Sequence, residues 1–420
     1  MNKRDKMQEQ DLIYDWNTHE GLEFKPDYAI EFDDETLRDG LQAPSVIDPP
    51  IEEKIKIIHL MDSLGIHTAA LGLPGAGPRV RADVLKLAKE ILQGKLKIQA
   101  NCAARTVEAD IIPIIEISQQ AGLPIEACTF IGSSPIRQYA EGWDIDFLLR
   151  QSENAIKFAV KHGLQVMYVT EDTVRAHPED IRKLYTAAIN CGAKRICVCD
   201  TVGHIIPKGV KNLVSFVREI VEATGDDVKI DWHGHRDRGF ALANTFAAIE
   251  AGANRVHGCA LGVGERVGNT PMDLILANCK LLGWIDNDLT SLKPYCEKVS
   301  ETLGVPIPKN YPIMGADAFR TGTGVHAASI IKAETKGENW LADRVYSGVP
   351  AEWFGSQQII EVGPMSGESN IIYWLKKRNM EPKKEWIAAI VNKAKSSNRI
   401  LTDKEIYAII DEVKTKKAGD

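Results

Sequence analysis

The chain has 420 residues, 44% of them hydrophobic and 7% aromatic, with a formal net charge of −7. That is enough apolar material for a large core, and an acidic balance without a basic tract argues against nucleic acid as a partner. No apolar run approaches the ~20 residues of a membrane span, and MNKRDKMQEQDLIYDW has no apolar signal core, so a cytoplasmic protein with no membrane partner is expected.

Residues 1–28 read as an N-terminal extension. From residue 29 one unit recurs: a short apolar strand with a polar end, then an amphipathic helix, then a glycine. The strands are YAIEFDD, HTAALGLP, KIQANCA, IEACTFIG, LQVMYVTED, RICVCDT, KIDWHGH and NRVHGCALG. Between them lie runs such as IEEKIKIIHLMDSLG and GVKNLVSFVREIVEATG, with apolar residues three and four apart. Glycines such as Gly65, Gly94 and Gly122 follow the last turns and suit a left-handed helix cap. Short apolar strands alternating with helices predict a parallel sheet. Eight such units within 29–288 predict a closed (β/α)8 TIM barrel of the α/β class. An open doubly wound sheet would place a Gly-rich phosphate loop after its first strand, where this chain has the acidic FDDETLRDG. Beyond Trp284 the period changes, and residues 289–420 read as a mainly helical appendage rather than a second barrel. The eight cysteines include no CxxC pair and read as reduced, buried thiols, with Cys197 and Cys199 on one strand face.

In a (β/α)8 barrel the chemistry sits at the C-terminal ends of the strands. Those ends are polar here. Strand 1 delivers Arg38, Asp39 and Gln42; strand 5 delivers Glu171 and Asp172; strand 6 delivers Asp200 and Thr201. Strand 7 delivers His233, His235 and Asp237, and strand 8 leads into GVGERVGN with Glu265, Arg266 and Asn269. A lone histidine is more often structural than a ligand. Two at i and i+2 on a strand point the same way, so His233 and His235 face one site. With the Asp39 carboxylate, and the Asn269 amide as a further candidate, they suit a divalent cation with open positions for substrate. Zn, Mn, Mg, Fe and Co all fit such a mixed nitrogen and oxygen set. Arg38 beside Asp39 suits stabilisation of a developing negative oxygen, or else a salt bridge to a barrel carboxylate. Thr201 is placed either to donate to a substrate carboxylate or to cap the next turn. The GVGERVGN loop either lets a phosphate or pantetheine arm approach the backbone or simply turns.

DETLRDGLQ, TEDTVR, CDTVG, HGHRDRG, GVGERVGNTP and GTGVH occur in this order at the strand ends and beyond. Together they resemble the acyl-CoA-dependent 2-oxo acid condensing enzymes: 2-isopropylmalate, homocitrate and citramalate synthases. The resemblance covers roughly residues 29–375. It implies a metal-dependent Claisen-type condensation of acetyl-CoA with a 2-oxo acid to a malate-type acid, with release of CoA, in a homodimer. Carried over by motif, Asp39, His233 and His235 are the metal ligands, and Asn269 an additional or near ligand. Arg38 resembles the arginine that stabilises the enolate or thioester oxygen. Gln42, Glu171 and Thr201 match positions lining the substrate, and Glu171 joins Arg38 in the catalytic set. His326 in GTGVH and Tyr346 in DRVYSGVPAEWFG resemble family residues that assist proton transfer, often across a dimer; without the resemblance both read as capping or packing residues.

Leu41, Ala70 and Arg236 depart from the family pattern, which has Glu, Glu and Asn there. The GLQ triplet is closer to hydroxymethylglutaryl-CoA lyase, a retro-Claisen relative, but that lyase needs a cysteine in the Gly-rich loop and GVGERVGN has none. A biotin-dependent carboxyltransferase would want a lysine on a strand, and ICVCDT offers none. SSPIRQYAEGWD resembles the homocitrate synthase run whose arginine grips a distal carboxylate. Arg137 would then select 2-oxoglutarate; if it points away, an apolar acid such as 2-oxoisovalerate is open. The appendage leaves no room for the separate regulatory domain of leucine-inhibited synthases, so none is expected. A metal-binding relative without catalysis is the alternative of a different class.

Overall fold

Eight parallel strands close a barrel in the computed structural model, which describes residues 9–21 and 24–418. They are β1 (Glu31–Asp34), β2 (Thr68–Ala70), β3 (Gln99–Arg105), β4 (Ile125–Gly132), β5 (Val166–Glu171), β6 (Arg195–Asp200), β7 (Lys229–Gly234) and β8 (Arg255–Gly258). Each pairs with the next, and β8 returns to β1 with Asp33 opposite His257. This is the expected (β/α)8 architecture. Seven strands lie inside the segments read as strands, while β3 runs two residues further, to Arg105. The helices cover the barrel with apolar faces of helical period. Pro207–Thr224, for example, buries Val210, Val214, Val217 and Val221. Among the described residues no helix is long and apolar enough to cross a membrane. All eight cysteines are free, and all but Cys191 are buried.

The floor of the barrel interior is charged. Arg255 on β8 is 1% exposed. Its guanidinium donates to Asp231 at 2.5 Å, Glu126 at 2.6 Å and Thr68 at 3.1 Å. Arg195 on β6 donates to Asp231 at 3.0 Å and pairs with Glu126 at 3.5 Å and with Glu31. Buried charges are tolerated when each meets an opposite charge in good geometry. This network therefore forms a rigid floor for whatever the strand ends hold above it.

The chain divides into two compact units. One is Glu20–Pro306. It reaches past residue 288 because the helix Leu292–Leu303 packs on the barrel, where the Tyr295 hydroxyl donates to Asp34 and sits 3.2 Å from Thr36 Oγ1. The other joins the described residues 9–19 to the chain from Ile307 onward. Arg344 donates to Glu9 at 2.6 Å, so the N-terminal segment belongs to this unit rather than standing alone. Its core includes Ile371, Trp374, Leu375, Ile390 and Ile410 from the last three helices. The unit is mainly helical, with a short parallel pair, β9 (Arg320–Thr321) and β10 (Ile359–Ile360), that the sequence pattern did not reveal.

Gly94 corrects one expectation. It keeps a right-handed conformation, with φ −74°, and the next residue, Lys95, takes the left-handed one, with φ 53°. A Cβ on Gly94 would lie 2.9 Å from the Glu90 carbonyl oxygen, so glycine is needed there for space rather than for its torsion. Lys95 carries the strain and its side chain is exposed. Lys95→Gly should therefore raise stability by about 0.5–1 kcal/mol in urea unfolding, whereas Gly94→Ala should lower it.

Candidate active site

β1 ends in a tight turn in which the Glu35 carbonyl accepts from the N–H groups of Arg38 and Gly40, both at 3.0 Å. That turn sorts the acidic cluster. Asp34 faces outward to Thr36 and Tyr295. Asp33 faces the barrel axis, where it accepts from Asn101 at 2.7 Å. Glu35 and Asp39 are buried at the mouth, and Arg38 lies between them, 2.5 Å from Glu35 and 3.3 Å from Asp39. The salt-bridge reading of Arg38 is thus realised. The same guanidinium also lines the cavity at the strand ends, so its two roles coexist.

His233 and His235 share a face at the end of β7, with ring centroids 5.0 Å apart. Their Nε2 atoms lie 4.0 and 3.9 Å from Asp39 Oδ2. One carboxylate and two imidazoles, all buried, thus gather where one cation could sit among them. Burial, then the neighbouring His233, pushes His235 down to about 4, so it is a neutral imidazole with a lone pair to offer. Burial opposes the charge on Asp39, but Arg38 and His233 together hold its carboxyl below the ordinary range. The Asn269 side-chain nitrogen donates to Asp39 Oδ1 at 2.9 Å. Its Oδ1 is buried with no hydrogen-bond partner, as is His235 Nδ1. Orphaned buried polar atoms are costly. The donor set fits a divalent cation, with Asn269 either ligating or orienting Asp39.

The loop after β8 is shaped to allow this. Gly264 has φ 151°, and a Cβ there would lie 2.2 Å from Asn269 Nδ2 and 3.0 Å from Asp39 Oδ1. The Glu265 N–H donates to Asp39 Oδ1 at 3.2 Å. Arg236, one of the three departures from the family pattern, braces the same loop: its guanidinium donates to the Val267 carbonyl at 2.6 Å and the Leu261 carbonyl at 3.4 Å.

Gln42, Glu171 and Thr201 line the same cavity. Burial pushes the Glu171 carboxyl up against the pull of Arg137, and Glu265 adds to the rise. Thr201 Oγ1 accepts from the Asp172 N–H at 2.8 Å, so it steadies the turn after β5 rather than capping its own next turn, and its own proton remains available to donate. Arg137 is not among the cavity residues. It pairs with Glu141 one turn along its helix at 3.1 Å and lies 5.7 Å from the centre of the Trp143 ring. His326 and Tyr346 belong to the second unit, where their rings stack with centroids 4.1 Å apart.

Sequence reasoning left out Glu35 and His257. Glu35 is 2.7 Å from His233 Nδ1 and 3.3 Å from His257 Nδ1. His257 lies two residues after Arg255 on β8, so the alternation that paired His233 with His235 would have turned it inward as well.

A charged (β/α)8 barrel with a two-histidine, one-carboxylate mouth is the class that fold and site define. The sequence signature of the HMGL-like family matches residues 29–295, and the chain belongs to that family. It is 30% identical over 394 residues to homocitrate synthase AksA of Methanopyrus kandleri, covering 92% of this chain and 93% of that protein. It is 31% identical over 374 residues to a probable 2-isopropylmalate synthase of the same organism, covering 88% and 70%. Among solved structures, an HMG-CoA lyase from Bacillus subtilis superposes with a TM-score of 0.55 at 22% identity, over 68% of this chain and 97% of the lyase, a likeness of fold alone.

Gly264→Ala should push Asn269 away from Asp39 and cost about 1–3 kcal/mol of stability by urea unfolding, as overpacking does. An alanine variant with wild-type stability would show that the loop can yield.

Proposed function

We propose that this protein is an acetyl-CoA-dependent synthase that condenses a 2-oxo acid bearing an apolar side chain. The observation that carries the reading is the convergence of Asp39, His233 and His235 on one point at the barrel mouth. A divalent cation bound there would polarise the ketone of the oxo acid. The chain's own groups do the rest. Arg38 offers a fixed guanidinium, held by Glu35, to the oxygen on which negative charge develops. Glu171, with its raised carboxyl, is placed to take and return a proton. Gln42 and Thr201 orient the oxo acid. Asn269 completes or steadies the ligand set. His326 and Tyr346 are assigned to proton handling on the resemblance alone, as are the homodimer and, with the free thiols, a cytoplasmic location.

The named relatives divide between a dicarboxylic oxo acid and an apolar one, and the cavity wall favours the second. Leu73, Ala103, Phe130, Met167 and Val169 present apolar surface. Among the described residues lining the cavity, Arg38 is the sole lysine or arginine, and it is already paired. Arg137 is paired with Glu141. A distal carboxylate would meet no unpaired cation among those lining residues, where Glu171 and Glu265 would repel it, and would have to draw Arg137 away from its exposed pair with Glu141.

Thiol release from acetyl-CoA, followed across a panel of 2-oxo acids with and without chelator, tests this. Release should be fastest with 2-oxoisovalerate-like acids and should stop with chelator or in His233→Ala. A preference for 2-oxoglutarate would overturn the substrate class. No release with any acid would leave a binding protein. The pH profile adds a second check. Glu171 must be ionised to act as a base, so kcat/KM should fall as pH drops through a limb above the ordinary glutamate range. Glu171→Gln should lose that limb and about 10²–10⁴ in rate.

A further inference from the structure

Glu35 lines the cavity beside the proposed ligand set, and its carboxylate meets Arg38, His233 and His257. One oxygen, Oε1, lies 2.5 Å from Arg38 Nη2 and 3.3 Å from His257 Nδ1. His257 is in turn held at Nε2 by Asp231 Oδ2 at 3.0 Å, and Asp231 is fixed by Arg255 and Arg195. The other oxygen, Oε2, is buried and makes no in-line hydrogen bond. The nitrogen facing it is His233 Nδ1, at 2.7 Å and off the N–H axis. A chain of contacts thus runs from the barrel floor to the imidazole at the mouth: Asp231, His257, Glu35, His233.

With a cation at Nε2, only the tautomer that carries its hydrogen on Nδ1 satisfies both ends of His233. A buried carboxylate oxygen needs a proton donor, so Nδ1 must carry the hydrogen. That leaves the Nε2 lone pair aimed toward Asp39, 4.0 Å away. His235 has no such support, because its Nδ1 has no hydrogen-bond partner. The two imidazoles are therefore not equivalent: one is anchored from behind and one is not.

We propose that Glu35 is a positioning residue that fixes the tautomer and ring direction of His233 for cation binding, and that His257 and Asp231 hold Glu35 in place. This rests on the reading that Asp39, His233 and His235 bind a divalent cation. A carboxylate behind a ligating histidine also raises the basicity of the ring, and losing such a partner typically weakens metal binding about 10–100-fold.

The test uses the full chain, stripped of metal and titrated with Co2+ by calorimetry and visible absorption. Wild type should bind one Co2+ per chain, with a thermal shift on binding. Glu35→Gln should bind about 10–100-fold more weakly, with an altered absorption band and a smaller metal-induced shift in Tm. His257→Gln should fall in the same direction by less. A purely structural role for Glu35 would lower Tm equally with and without Co2+ and leave affinity unchanged, which would overturn the proposal. Two Co2+ per wild-type chain, one of them lost in His257→Gln, would also overturn it, since Glu35, His233 and His257 would then be ligands themselves. If Glu35→Gln does not fold, nitrogen NMR of histidine-labelled wild type decides: Nδ1–H on His233 supports the proposal and Nε2–H ends it. Failure of the underlying reading looks different, because wild type would then show no Co2+ binding that Asp39→Ala removes.

Discussion

Charge compensation inside the barrel is the constraint on which the rest of this structure depends. Asp33, Glu35, Asp39 and Asp231 are all buried, and a carboxylate out of water is costly unless positive charge or hydrogen bonds surround it. Below the mouth, Arg255 and Arg195 bind Asp231 and Glu126 from two sides. At the mouth, Arg38 does the same for Glu35 and Asp39. Asp39 has Arg38, the Asn269 amide and a backbone N–H, yet two imidazoles stand about it without contact. Those three groups gather close enough to share one cation.

The surrounding loops serve that arrangement. The turn after β1 brings Glu35, Arg38 and Asp39 to one side and leaves Asp34 to tie the barrel to the helix that carries Tyr295. The loop after β8 comes within reach of Asp39 because Gly264 has no side chain, and Arg236, just beyond the end of β7, holds its carbonyls. Arg236 was conspicuous as a departure from the family pattern. Its observed work is local bracing, and a guanidinium with several donors does this more broadly than an amide would.

Much of this was legible residue by residue. The strand-helix period announced the barrel, because parallel strands buried on both faces need continuous apolar runs. The pairing of His233 with His235 followed from strand alternation alone, and their convergence with Asp39 followed from placing strand ends on one rim. Lys95 was not foreseen in the left-handed position, since a glycine at the end of a helix suggests that torsion for itself, whereas Gly94 serves here by leaving room beside the Glu90 carbonyl one turn earlier. Arg137 was legible as a motif but not as a direction. Its alternatives, a substrate carboxylate and Glu141 on its own helix, differ by a side-chain rotation that no spacing encodes.

By itself, then, the sequence determined which residues alternate inward on each strand and which polar groups crown the strand ends, because both depend on local backbone geometry. Only the tertiary structure decided who meets whom across the barrel. Glu35 and His257 are 222 residues apart in the chain, and they come together through closure of β8 onto β1 and a turn that reverses the backbone behind Asp39. Closure and loop direction are set by the packing of the whole barrel, so the support behind His233 could not be read from any segment alone.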